Sequence, residues 1–193
     1  MLDLGKLDYR KIRLETDRLV LREVPMDDRS RFFEIFSDKK VLRYTDRAIT
    51  PTLDEAIIFL KDCQNRAEKK LHFFLGVFQK NSDKLLGILS LYHIDLKHSF
   101  ASLGILLASE YWRKGFMSEA LLRFLEFYFV ELKFNRVEAQ TFVNNHPAVK
   151  FFENLKFKNE GTLRENFKIE GKFENSYLFS MLKADYLKYY QSN

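Results

Sequence analysis

Glu110–Leu121, EYWRKGFMSEAL, is the stretch on which the reading of this 193-residue chain turns. An apolar run, Leu103–Leu107, precedes it and reads as a strand. Apolar residues at helical spacing follow it, at Ala120, Leu121, Phe124, Leu125, Tyr128, Phe129 and Leu132. The stretch is therefore a strand-to-helix turn. The first amides of a helix have no partner within the helix and sit at the positive end of its dipole, so such a turn is a ready anion site. Lys114 adds a cation, and Gly115 lets a ligand come close to the backbone. A phosphorylated cofactor fits this arrangement; a glycine at such a turn is equally at home as plain punctuation.

The flanking sequence extends the pattern in both directions. Upstream, Arg18–Glu23 alternates apolar and polar residues as a strand does, and Pro25 with Asp27 and Asp28 ends it and caps a helix over Arg29–Ser37. Thr52, with Glu55 three residues on, has the spacing of a capping box and starts a helix that runs to about Lys69. Leu71–Phe78 and Leu85–Ile94 read as largely buried strands joined by a turn at Asn81-Ser82-Asp83, and Ser99–Leu107 is the next strand. Downstream, Asn135 ends the long helix, Val137–Val143 is a strand, and Pro147 suits the first turn of another helix. Phe157–Leu163 and Phe173–Leu182 close the pattern, with Gly171 near their turn. The order βααβββαβαββ is that of a mixed α/β (α+β) chain, expected to form one domain over residues 1–193 with its core between about 15 and 182. It combines antiparallel hairpins with one helical crossover that makes a parallel pair.

Composition narrows the classes of function. Hydrophobic residues make up 46% of the chain and twenty are Phe, enough for a large core; seven Gly and three Pro argue against a disordered or linker-rich protein. A single cysteine, Cys63, rules out an internal disulfide, and neither a zinc cluster nor any other metal is expected. The charge of +5 is spread along the sequence, without the dense basic run that marks nucleic-acid binding. No apolar run approaches the ~20 residues needed to span a membrane. MLDLGKLDYRKIRLE at the start lacks the core of a signal peptide, so a cytoplasmic location is expected. The aromatic content leaves room for a homodimer interface but does not locate one.

Trp112-Arg113-Lys114-Gly115-Phe116-Met117 resembles the pyrophosphate loop of the GCN5-related N-acetyltransferases, the GNAT family, whose pattern is Arg or Gln, two residues, Gly, one residue, then Gly or Ala. Trp112 in the first position resembles the RimJ/RimL-like branch, the ribosomal-protein N-terminal acetyltransferases; Met117 stands where a small residue is usual. Other segments resemble the same branch in the same order. They are Glu15–Glu23 with Asp27-Asp28, Gly87–Leu91 with His93-Ile94-Asp95, Asn144-Asn145-His146-Pro147, Phe151–Phe157, and Glu160–Arg164. The resemblance spans about Glu15 to Leu182 and implies the acyl-CoA N-acyltransferase fold. That fold is a mostly antiparallel seven-stranded sheet whose parallel strands, here Ser99–Leu107 and Val137–Val143, splay to admit acetyl-CoA.

The resemblance also implies a set of site residues. The backbone of Ile105, Leu106 and Leu107 would pair with the pantetheine arm, Trp112–Met117 would hold the diphosphate, and Asn145 and Phe152 would contact the cofactor. Asn145 is also a good helix cap. The family's usual acids are replaced, by Phe152 where many members have Tyr and by Ala148 where the branch often has Ser. Its usual base, Glu, is replaced by Ser102. Catalytic candidates are therefore His93, with Asp95 as an orienter, Ser102 at the base position, and Asn145; Tyr92, Tyr111 and Tyr177 are options for the acid, and Glu138 and Glu174 weaker ones for the base. The other reading of His93, and the more common one for such a position, is a strand-end residue facing solvent.

A thiol pKa near 8.5 lets thiolate leave without full protonation, and an α-amine, with a pKa near 8, needs less help than lysine near 10.4. The expected activity is acetyl transfer from acetyl-CoA to a primary amine, a protein N-terminal α-amine first. A polyamine or aminoglycoside acceptor is the alternative, and a non-catalytic acyl-CoA sensor is the reading from a different class.

Overall fold

The computed structural model describes residues 8–45, 50–169 and 171–191. Eight strands form one sheet: β1 (Arg13–Glu15), β2 (Leu19–Glu23), β3 (Phe73–Gln79), β4 (Lys84–Asp95), β5 (Phe100–Leu107), β6 (Arg136–Phe142), β7 (Lys158–Ile169) and β8 (Lys172–Leu182). Their order is β1-β2-β3-β4-β5-β6-β8-β7, and β5–β6 is the one parallel pair among the described residues. The helices are α1 (Arg29–Ser37), α2 (Lys39–Leu42), α3 (Leu53–Glu68), α4 (Phe116–Glu126), α5 (His146–Asn154) and α6 (Lys183–Tyr186).

The order inferred from the sequence is present, with three short additions: β1, α2 and α6. The eighth strand, β1, is three residues long, too short to show an alternation. It is fixed by its turn, where the Leu19 amide donates to Thr16 Oγ1 at 2.9 Å and the Thr16 amide to the Leu19 carbonyl at 3.0 Å. The α4 stripe also ends differently. After Glu126 the helix widens into a π-turn over Phe127–Glu131, and Tyr128 Oη donates to the Arg136 carbonyl at 2.6 Å.

Strand alternation builds two cores, one on each face of the sheet. On one face Leu19, Leu21, Leu75, Val77, Leu89, Ala101, Leu103, Val137, Ala139 and Phe179 meet α4 and α5. On the other Val20, Phe74, Phe78, Leu85 and Ile88 meet Phe32, Ile35 and Phe36 of α1 and Leu60 and Cys63 of α3. Strands β3 and β4 are covered on both faces, which is why FFLGVF and LLGIL carry no alternation. Thr52 caps α3 as its spacing predicts, its Oγ1 accepting from the Glu55 amide at 3.2 Å.

Two halves of the sheet part at the crossover. The parallel register runs from Phe100↔Arg136 to Leu103↔Ala139 and stops there, although β5 continues to Leu107 and β6 to Phe142. Beyond that point β5 stays with β4, out to Leu107↔Gly87, and β6 stays with β8, out to Phe142↔Ser176. A cleft therefore opens within the sheet, and the turn from β5 into α4 lies at its edge.

Candidate active site

The turn at the cleft is built from two left-handed residues, Arg113 at φ 60° and Gly115 at φ 78°. Gly115 is the N-cap of α4, and no side chain caps the helix. The Glu119 amide donates to the Gly115 carbonyl at 3.1 Å, so the amides of Phe116, Met117 and Ser118 precede the first helical bond and have no acceptor in the helix. Arg113 and Lys114 stand beside them. Among the described residues neither is paired with a carboxylate, and Lys114 Nζ lies 5.5 Å from the Tyr111 ring centre. Uncapped amides, a helix dipole and two free cations suit an anion.

The turn is held from both sides. Trp112 Nε1 donates to the Leu107 carbonyl at 2.7 Å, tying the turn to the end of β5. From the β1–β2 turn, Arg18 Nη1 donates to the Lys114 carbonyl at 3.2 Å and its Nε to Glu119 Oε2 at 2.6 Å. Glu119 also accepts from Thr16 Oγ1 and from the Arg18 amide. Partial burial pushes the Glu119 carboxyl up, but these donors outweigh it and hold its pKa below the ordinary value. Met117, the departure from the small residue expected at the end of the loop, is 6% exposed and packed into the core, so its bulk is drawn away from the turn.

The remaining sequence-predicted residues fall on the end of β5, at the start of α5 and in the core beneath them. Ile105 and Leu107 pack toward α4, Leu106 toward the opposite core. Asn145 is the N-cap of α5: its Oδ1 accepts from the Ala148 amide at 3.3 Å and its Nδ2 donates to Thr141 Oγ1 at 3.0 Å. The side chain thus couples α5 to the diverging end of β6. Phe152 is 3% exposed and its ring stacks on Phe179 at 5.4 Å, a core position. Tyr177, half-buried beside Phe179 with 6.3 Å between ring centres, sits opposite Thr141 in the β6–β8 register. A hydroxyl thus stands on the α4–α5 face, one strand over from the cleft.

His93 occupies a bulge where β4 and β5 slip register between Tyr92 and Asp95; it is exposed, at φ 48°, with its ring edge-on to Tyr92 at 5.0 Å. Asp95, expected to orient it, instead accepts from the His98 amide at 2.7 Å and so closes the following turn. Ser102 is 8% exposed and pairs across to Tyr92 on one side and Glu138 on the other. Strand alternation puts Ser102, Glu138, Gln140 and Ser180 on the face opposite α4.

Over β6–β8–β7 that face carries neither core cluster; apart from the edge-on Phe142–Phe167 pair toward one end, it is a polar shelf. Its centre is Arg136. Nε donates to Glu138 Oε1 at 2.7 Å, Nη1 donates to Glu160 Oε1 at 2.9 Å, and Nη2 pairs with Glu160 Oε2. Ser180 Oγ completes the set by donating to Glu160 Oε1 at 2.8 Å. The Arg136 hydrogen bonds hold the Glu160 carboxyl down to about 2 against partial burial. Composition and periodicity did not reveal this cluster, because its members come from three strands.

Residues 18–158 match the family model of the acetyltransferase (GNAT) domain. The chain is 31% identical over 178 residues to the uncharacterised N-acetyltransferase p20 of Bacillus licheniformis, covering 90% of this chain and 97% of that one. It is 27% identical over 171 residues to the spermidine N(1)-acetyltransferase of Vibrio cholerae, covering 88% and 96%. The solved ribosomal-protein-S5-alanine acetyltransferase from Vibrio fischeri superposes with a TM-score of 0.79 at 22% identity, over 91% of this chain and 99% of that one.

Proposed function

The chain belongs to the GNAT acetyltransferase family and is an N-acetyltransferase, and from that premise we propose that it transfers the acetyl group of acetyl-CoA to the α-amine of a protein N-terminus. The observation that carries this reading is the cleft between β5 and β6, with the uncapped start of α4 at its edge and the polar shelf on the far face.

In this reading the amides of Phe116, Met117 and Ser118, with Arg113 and Lys114, hold the diphosphate. The free edge of Ile105–Leu107 pairs with the pantetheine arm. Asn145 sets the start of α5 against the cleft. Acetyl-CoA supplies an activated carbonyl carbon: the amine nitrogen bonds to it and gives up one proton to water, the carbon–sulfur bond breaks, and the departing thiolate takes up one proton. The acceptor enters over the shelf, past Ser102. Tyr177 Oη, on the donor face, is the residue we assign to deliver a proton toward the departing sulfur. The amine must arrive neutral, because Ser102 is not a base and His93 stands out in solvent at its bulge. That requirement favours an α-amine over lysine.

The similarity to a spermidine acetyltransferase supports a second reading, with a polyamine as acceptor. The shelf argues for the first. Arg136 lies between its two carboxylates and leaves a net charge of only about −1, little attraction for a polycation.

Thiol release from acetyl-CoA, measured against N-terminal peptides, spermidine and N-blocked lysine, tests this. Peptides with a free α-amine are expected to give the highest kcat/KM. Faster turnover of spermidine would transfer the assignment to the second reading, and faster turnover of blocked lysine would refute the argument from the missing base.

A further inference from the structure

We infer that Arg18 is a positioning residue for the acetyl donor. Through a bridge to Glu119 it fixes the turn that receives the diphosphate, and it presents its own guanidinium to that anion. The inference rests on the reading of the α4 turn as the diphosphate site.

Arg18 is about a hundred residues from α4 in sequence, yet four contacts converge on it. Nη1 donates to the Lys114 carbonyl, one residue before the left-handed Gly115. Nε and the backbone amide donate to the two oxygens of Glu119, in the first turn of the helix. The guanidinium lies over the Phe116 ring at 4.5 Å. A Cβ at Gly115 would stand 3.4 Å from Nη2, so this arm of the fork reaches the very residue that opens the helix. Among the described residues Nη2 makes no hydrogen bond, and the side chain is 48% exposed.

The arrangement separates two tasks. Glu119 is an acid at the positive end of a helix, where its charge would ordinarily compete with an incoming anion for the dipole. Arg18 neutralises that charge and turns the carboxylate toward the β1–β2 side, away from the helix mouth. Its Nη1 bond holds the Lys114 carbonyl aside as well, and a carbonyl aimed at the turn would repel phosphate. A planar fork can make these bonds and still offer Nη2; the single ammonium of lysine cannot.

The test uses two donors, acetyl-CoA and S-acetylpantetheine, which carries the same thioester without phosphates. For Arg18→Ala the KM for acetyl-CoA is expected to rise about tenfold, the scale of losing charge-assisted hydrogen bonds, with kcat held within about twofold. For S-acetylpantetheine kcat/KM is expected to stay at the wild-type value. Arg18→Lys should recover only part of the loss, and Glu119→Gln should raise the acetyl-CoA KM by a smaller factor. An Arg18→Ala enzyme with unchanged KM for acetyl-CoA, or with both donors impaired alike, would overturn the inference. Calorimetry of wild type with CoA separates this from the underlying reading: if wild type binds CoA no better than pantetheine, the diphosphate site itself is wrong.

Discussion

At Gly115 a backbone angle of 78° is what a side chain would resist, since a Cβ there meets only Arg18 Nη2, at 3.4 Å. A left-handed conformation costs an L-residue roughly 1–2 kcal/mol, less for Asn. Gly115→Ala is therefore expected to weaken CoA binding about fivefold, a cost of about 1 kcal/mol, and Gly115→Asn less; titration calorimetry on both variants checks the order. Tyr177→Phe keeps the ring beside Phe179 and removes only the hydroxyl. If that hydroxyl protonates the departing sulfur, kcat falls at least about tenfold while CoA affinity is unchanged, as steady-state rates with calorimetry would show. The glycine was legible in the sequence because φ above zero leaves a residue-type signature. Arg18 was not, since nothing in a sequence pairs it with a glutamate a hundred positions away.

The elements follow the same division. Helices α3, α4 and α5 announce themselves through Thr52, Gly115 and Asn145 at their starts, and strands β3 and β4 through runs apolar on both faces. Capping is local chemistry, and local chemistry is what a sequence displays. The β5–β6 cleft is different. It exists because β6 follows β8 while β5 follows β4, a competition between long-range registers that only the family resemblance made visible beforehand. The shelf triad of Arg136, Glu138 and Glu160 was hidden for the same reason. Asn145 links the two levels, since it caps α5 and grips Thr141 at the diverging end of β6. Asn145→Ala should cost about 1 kcal/mol of stability, the usual worth of a cap, and lower Tm by roughly 2–4 °C in a scanning melt. Asn145→Asp, which keeps the acceptor oxygen, should recover most of it.

Across the whole molecule, the proposed reading brings the donor in on the α4–α5 face and the acceptor over the shelf, joining two surfaces through one gap in the sheet. Alongside the lowered carboxyls of Glu119 and Glu160, one contribution to stability at acid pH lies away from this gap. Burial, aided by the charge of Arg66, lowers the His72 pKa to about 4 from an ordinary value of 6.5, and its buried Nδ1 has no hydrogen-bond partner among the described residues. The folded state therefore keeps His72 neutral while the unfolded chain takes up a proton. Stability contributed this way is full above pH 6.5 and is lost as pH falls toward 4. Urea melts of wild type and His72→Phe across that window should show the variant with the flatter dependence. We assign the donor site to the cleft edge. The most direct test of this assignment is the titration of ¹⁵N-labelled protein with CoA, followed by amide chemical shifts. Binding at the cleft edge would give the largest changes at Phe116, Met117 and Ser118, extending to Ile105, Leu106 and Leu107. Saturable binding whose largest changes lay elsewhere, with these six amides unmoved, would contradict it.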